Sequence, residues 1–199
     1  MFEVRIHGRG GQGVVTAAEL LSLAAFDEGR YAQAFPSFGS ERMGAPVVSF
    51  CRIEDHEIRL REPVMAPDAL IVGDPTLLHQ VDVFAGCKPD GFILINTTKS
   101  FGELGLGDFV KGFQLERLLT VPASELAREH TGRPLANATL LGGFAALTGQ
   151  ISLAALERAI GERFTRALAE RNVAAARVAY VWVDDELREL ALTSAAAGG

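Results

Sequence analysis

Phe2-Glu3-Val4-Arg5-Ile6-His7-Gly8-Arg9-Gly10-Gly11-Gln12-Gly13 opens the chain as an apolar run followed by a glycine-rich loop, and a helical pattern starts at Val14. Gly8, Gly10 and Gly13 satisfy G-x-G-x-x-G between a strand and a helix, the context in which that spacing has a physical meaning. Glycines permit a tight turn and close approach of backbone to a ligand. The helix that follows turns unpaired N–H groups toward the loop, so a phosphate or another anion is the first expected ligand.

A dinucleotide site also asks for a carboxylate at the end of the second strand, where it holds a ribose hydroxyl. Tyr31-Ala32-Gln33-Ala34-Phe35 reads as that strand, and it runs into Pro36-Ser37 with no acidic residue. Asp27 and Glu28 fall at a suitable distance, but they belong to the last turn of the helix Val14–Glu28, which Gly29 ends. NAD is therefore disfavoured. A Walker A loop is absent too, because no Gly-Lys-Ser or Gly-Lys-Thr occurs. Two readings stay open for the loop: an anion site, or a tight strand-to-helix turn that binds nothing.

Pro36–Pro46 is long for a connection between strands, and it carries Phe38, Glu41, Arg42 and Met43. Such a loop suits a ligand or a partner, and Arg42 suits a phosphate as well as a salt bridge. Val47–Ile53 alternates like a strand, and Glu54-Asp55-His56 reads as a turn into Glu57–Arg61, an antiparallel hairpin near a sheet edge. Ala69–Val72, Phe92–Ile95 and Leu118–Val121 are short apolar strands of the buried parallel type. Asp74 or Thr76 is placed to cap a helix reaching about Val83, and Ser124–Glu129 reads as another short helix. The strand-end loops Gly73–Thr76 and Asn96–Lys99 fall at the same carboxyl edge as the glycine loop, where open α/β sheets bind ligands.

From Asn137 onward the chain reads as helix. Asn137–Gly149 is apolar on nearly every side, with Gly142-Gly143 allowing close backbone contact. Ser152–Arg163 and Thr165–Trp182 follow, with a last turn or two at Glu186–Leu192. The expected fold is α/β: a three-layer α/β/α arrangement with a mainly parallel, mixed sheet and a helical C-terminal part. One domain is expected over residues 1–192, with a flexible tail at 193–199.

Bulk numbers narrow the function classes. The formal net charge of −6 disfavours non-specific nucleic-acid binding, which needs a basic stripe. No apolar run is long enough for a bilayer, and no leader pattern opens the sequence, so a cytoplasmic location without membrane contact is expected. Cys51 and Cys87 are two thiols where a cluster needs about four, so no cluster of its own is expected. His7, His56, His79 and His130 show no metal-ligand spacing, and no nucleophile–base arrangement emerges. A high apolar fraction, 48%, points to surface hidden in a thick core or against a partner.

His7–Gly13 taken together with Phe35-Pro36-Ser37-Phe38-Gly39-Ser40-Glu41-Arg42-Met43-Gly44-Ala45-Pro46-Val47 closely resembles the gamma subunits of the 2-oxoacid:acceptor oxidoreductases, the family of pyruvate:ferredoxin oxidoreductase. Asn137–Gly142 and Leu153–Phe164 resemble that family's later segments, so the likeness spans about residues 1–185. The resemblance implies a multisubunit enzyme that oxidatively decarboxylates a 2-oxoacid to an acyl-CoA. Thiamine diphosphate, magnesium and [4Fe–4S] clusters would be held by alpha, beta and delta partners. It implies that this component is a non-redox subunit, inactive alone, which helps form the coenzyme A site through Gly8, Arg9, Gly10, Gly11, Gln12, Gly13 and Arg42. Glu19 stands where some relatives carry lysine. A purely structural clamp is the alternative role. The wording of Phe35–Gly44 is also similar to subunits of aryl 2-oxoacid enzymes such as phenylglyoxylate dehydrogenase, which would add an NAD-linked flavoprotein partner.

Overall fold

The computed structural model describes residues 1–37 and 43–197. Strand β1 (Phe2–Arg9) runs three residues past the apolar run Phe2–Ile6, into the glycine motif, and helix α1 (Val14–Asp27) follows. α1 buries Val14, Ala17, Ala18, Leu21, Ala24 and Ala25, which recur at helical spacing, and Leu20 besides. Gly29, with φ of 78°, ends it. Next come β2 (Tyr31–Pro36), β3 (Pro46–Glu54), β4 (Ala69–Val72), β5 (Phe92–Asn96) and β6 (Leu118–Val121). Helices α2 (Ala123–Thr131), α3 (Asn137–Thr148), α4 (Leu153–Arg163) and α5 (Arg166–Ala197) complete the chain.

The six strands form one sheet in the order β2-β3-β1-β4-β5-β6. β1, β4, β5 and β6 are parallel, whereas β3 lies between β1 and β2 and is antiparallel to both. The expected hairpin of Val47–Ile53 with Glu57–Arg61 is thus corrected: residues 57–61 form no strand, and the partners of β3 are β1 and β2. Burial explains the difference. Phe50, Cys51, Arg52 and Ile53 are all buried, so both faces of β3 are covered and it belongs inside the sheet.

The five described helices form one apolar body on one face of the sheet, over a surface that includes Val4, Ile6, Cys51, Ile53, Ile71, Leu94 and Val121. α1 lies on β1, β2 and β3, α3 on β5 and β6, and α5 reaches β6, while α2 and α4 pack on the other helices. Their approach is close because small residues line the contacts. A side chain on Gly142 of α3 would strike the backbone carbonyl of Ala176 in α5. The other face, with Leu70, Val72, Ile93, Ile95 and Leu118, is covered by 3₁₀ turns and loops instead of α-helices. There the helix expected from Asp74 to Val83 shrinks to a 3₁₀ turn, Pro75–His79, although Asp74 does cap it, accepting from the Thr76 N–H at 2.9 Å.

The C-terminal segment also differs from expectation. The expected helices Thr165–Trp182 and Glu186–Leu192 are replaced by one 32-residue helix that starts at Arg166, and residues 193–197, expected as part of a flexible tail, are its last turn. Alanine and leucine favour the helix through this end. Among the described residues no helix is long and apolar enough to cross a membrane.

Candidate ligand site at the carboxyl edge of the sheet

The parallel strands β1, β4 and β5 deliver three loops to one edge: the glycine loop, Gly73–Thr76 and Asn96–Thr98. Helices α1, α2 and α3 begin at the same edge. Gly13 adopts a left-handed backbone (φ 75°) that only glycine takes readily, and no side chain caps the first turn of α1. Asn96 ties the end of β5 to the start of α2, accepting from the Ser124 N–H at 3.0 Å and donating to Ser124 Oγ at 2.8 Å. It also donates to the Gly73 carbonyl at 2.8 Å. Asn137 begins α3 directly against Gly13, where any side chain at residue 13 would collide with its amide.

Between these helix starts lies a small cavity of about 40 Å³ lined by Ile6, Gly13, Val14, Ser124, Asn137 and Leu140. Gln12, Gly73 and Ser124 connect it to an open polar cleft of about 260 Å³, bordered by Asp74, Asn96, Thr97, Thr98 and Glu125. The N-terminal ends of three helices facing one cavity give it positive partial charge without a cationic side chain. The space suits part of a ligand, since sites for whole cofactors run to roughly 300–1,000 Å³.

Each residue anticipated from sequence has a distinct place. Gly8 belongs to β1, paired with Val47, and a Cβ there would lie 2.5 Å from Val14 Cγ2. Gly10 exchanges backbone bonds with the second loop: its N–H donates to the Ala45 carbonyl at 2.9 Å, and Gly44 N–H donates to its carbonyl at 3.0 Å. Gly11 (φ 88°) faces the thioether of Met43. Gln12 folds back, accepting from the Arg9 N–H and donating to Asp74 Oδ2, both at 2.8 Å. Arg9 donates from Nε to Asp74 at 3.0 Å, from Nη1 to the Gly44 carbonyl at 3.1 Å, and from Nη2 to Thr76 and Gln80 at 2.6 and 2.9 Å. Its guanidinium is thus engaged inside the chain. Arg42 lies outside the described residues, as do Phe38, Gly39, Ser40 and Glu41. Glu19 sits on α1 facing Arg163 at 3.5 Å.

Asp74, Asn96 and Asn137 organise the edge, and each is an ordinary polar residue in its local sequence. The strand-end rule points to the first two; Asn137 has no local signal, because its contact with Gly13 is tertiary. Burial acts to raise the Asp74 carboxyl, but the bonds from Thr76 and Gln12 and the Arg9 charge outweigh it, so Asp74 stays ionised below the ordinary carboxylate range. His7, on β1 just before the loop, is buried beside Arg5, and desolvation followed by the Arg5 charge lowers it to about 4, so it is neutral near pH 7. Among the described residues no group of three His, Cys, Asp or Glu side chains is arranged to hold a metal.

An open mixed sheet whose glycine loop, strand ends and helix starts meet at one edge defines an α/β protein with a candidate ligand site at that edge. Residues 3–182 match the family described as "Pyruvate ferredoxin/flavodoxin oxidoreductase". The chain is 46% identical to pyruvate synthase subunit PorC of Methanothermobacter marburgensis, covering 90% of this chain and 96% of that one. It is 47% identical, over the same shares, to the pyruvate/ketoisovalerate oxidoreductases common subunit gamma of Pyrococcus furiosus. The crystal structure of the Thermotoga maritima pyruvate oxidoreductase subunit PORC superposes with a TM-score of 0.75 at 35% identity, covering 90% of this chain and 94% of that one. The chain belongs to the pyruvate ferredoxin/flavodoxin oxidoreductase family, as a gamma-type subunit of a 2-oxoacid oxidoreductase.

Proposed function

We propose that this subunit forms part of the coenzyme A site of a thiamine-diphosphate-dependent 2-oxoacid:acceptor oxidoreductase, with thiamine diphosphate, magnesium and [4Fe–4S] clusters in alpha, beta and delta partners. The observation that carries the reading is the uncapped start of α1 behind the glycine loop, facing the same cavity as the starts of α2 and α3. The N–H groups there, with Arg42, hold phosphate oxygens. Met43, the neighbour of Arg42 in sequence, bridges to Gly10, so the end of the Pro36–Pro46 loop lies beside the glycine loop. The small cavity supports a shared site, completed by another subunit. Bound there, coenzyme A supplies the thiol that accepts the acyl group, and this chain contributes its orientation.

The engagement of Arg9 and Gln12 by Asp74 favours a second reading, in which the edge is a clamp and its glycines serve packing alone. Steady-state kinetics of the assembled complex separate the two. Arg42→Ala is expected to raise the KM for coenzyme A about tenfold, the worth of one charge-assisted phosphate contact, with the 2-oxoacid KM unchanged. An unchanged coenzyme A dependence supports the clamp. Pyruvate is the 2-oxoacid that the relatives' names favour; phenylglyoxylate with NAD as acceptor is the alternative branch, and the subunits that co-purify with this chain distinguish them.

A further inference from the structure

Two segments far apart in sequence, the glycine loop and the turn after β4, meet at one carboxylate. Asp74 Oδ1 accepts from the Thr76 N–H at 2.9 Å and the Thr76 hydroxyl at 2.6 Å, while Oδ2 accepts from Arg9 Nε at 3.0 Å and Gln12 Nε2 at 2.8 Å. The Asp74 side chain is only 13% exposed. Gln12 in turn accepts from the Arg9 N–H, closing the glycine loop on itself. Arg9, aligned by the carboxylate, reaches the Gly44 carbonyl at the end of the second loop. Bonds that pass through Asp74 thus reach both candidate binding loops, beside the direct backbone bonds of Gly10 with Gly44 and Ala45.

We propose that Asp74 is a positioning residue of the carboxyl-edge site, holding the glycine loop and the end of the Pro36–Pro46 loop in register for an anionic ligand. The inference rests on the coenzyme A reading above. A negative charge beside an anion site opposes binding by Coulomb repulsion unless it organises the donors. The two roles predict opposite signs. Asp74→Asn removes the charge and leaves one acceptor oxygen for two pairs of donors, so either Arg9 and Gln12 together or the Thr76 pair loses its partner.

In the assembled complex, Asp74→Asn is expected to raise the KM for coenzyme A about tenfold or more while the 2-oxoacid KM stays unchanged. Gln12→Ala should raise it by less, and the double variant should show less than the product of the two effects, because both cut the same chain of bonds. If Asp74→Asn fails to assemble, Gln12→Ala against wild type carries the test, with a rise in the coenzyme A KM alone expected. A lowered or unchanged coenzyme A KM overturns the proposal, as does an equal rise for both substrates. Arg42→Ala, measured alongside, tells the two ideas apart. If it raises the coenzyme A KM and Asp74→Asn does not, positioning by Asp74 fails and the coenzyme A reading stands; if neither does, both fail.

Discussion

The two faces of the sheet solve the same problem by different means. On one, helices satisfy their own backbone groups, so α1 and α3 can press a mainly apolar surface onto the strands, with alanine and glycine contacts between α3 and α5. On the other, part of the cover is irregular chain, and its carbonyls need donors. Two buried arginines provide them. Arg52 donates to the Glu62 carbonyl at 2.6 Å, the Leu60 carbonyl at 3.5 Å and Glu3 Oε1 at 2.8 Å. Arg5 donates to the carbonyls of Ala85 at 2.6 Å and Val83 at 3.0 Å, and contacts those of Val64 and Met65 at 3.4 and 3.5 Å. Helices thus permit a dry interface, whereas loops over a sheet require buried charge to hold them.

The largest expected effect lies on the helical face. Gly142→Ala puts a methyl group into the Ala176 carbonyl, which is backbone and cannot swing aside, so α3 and α5 must separate. A loss of about 3–5 kcal/mol in unfolding free energy is expected, read from denaturant titration. Gly149→Ala is a useful control, since that glycine has nothing within 4 Å of its added Cβ and pays only for its left-handed backbone (φ 62°), about 1 kcal/mol.

Breaking the other face should cost less. Arg52→Met keeps the stem but abandons Glu3 and the carbonyls of Leu60 and Glu62, an expected loss of about 2–3 kcal/mol. The region spanning residues 60–65 should then exchange its amides faster, while the amides of α3 stay protected. Equal acceleration on both faces would show that the two covers unfold as one unit.

A milder test uses pH. His7 titrates near 6.5 in an unfolded chain but at about 4 here, through burial and then the Arg5 charge. The unfolded state therefore takes up a proton first as pH falls, and stability drops from about pH 6.5 downward until pH 4. Between pH 7 and 5 the expected loss from this residue is about 2 kcal/mol, and His7→Leu should flatten that part of the profile.

Much of the fold was legible in local pattern. The α1 helix, the buried β4, β5 and β6 runs, the stop at Gly29 and the helix start at Ser152, where the hydroxyl accepts from the Ala155 N–H at 3.1 Å, follow from spacing and side-chain chemistry. The place of β3 was not. Its alternation fits an edge strand, and only the cover on both faces moves it between β1 and β2. The site was legible as a meeting of two loops, because Gly8–Gly13 and Phe35–Val47 are contiguous motifs. Arg9 shows the limit. An arginine in a glycine loop reads as a phosphate ligand until Asp74, more than sixty residues later, is found on its Nε.

By itself the sequence determined the elements, the glycine loop at the start of α1 and membership of the family, because these depend on neighbours along the chain. Tertiary structure alone decided which donors at the carboxyl edge are free and which are already engaged. That depends on strand order: β4 beside β1 brings Asp74 to Arg9, and α3 above them brings Asn137 to Gly13.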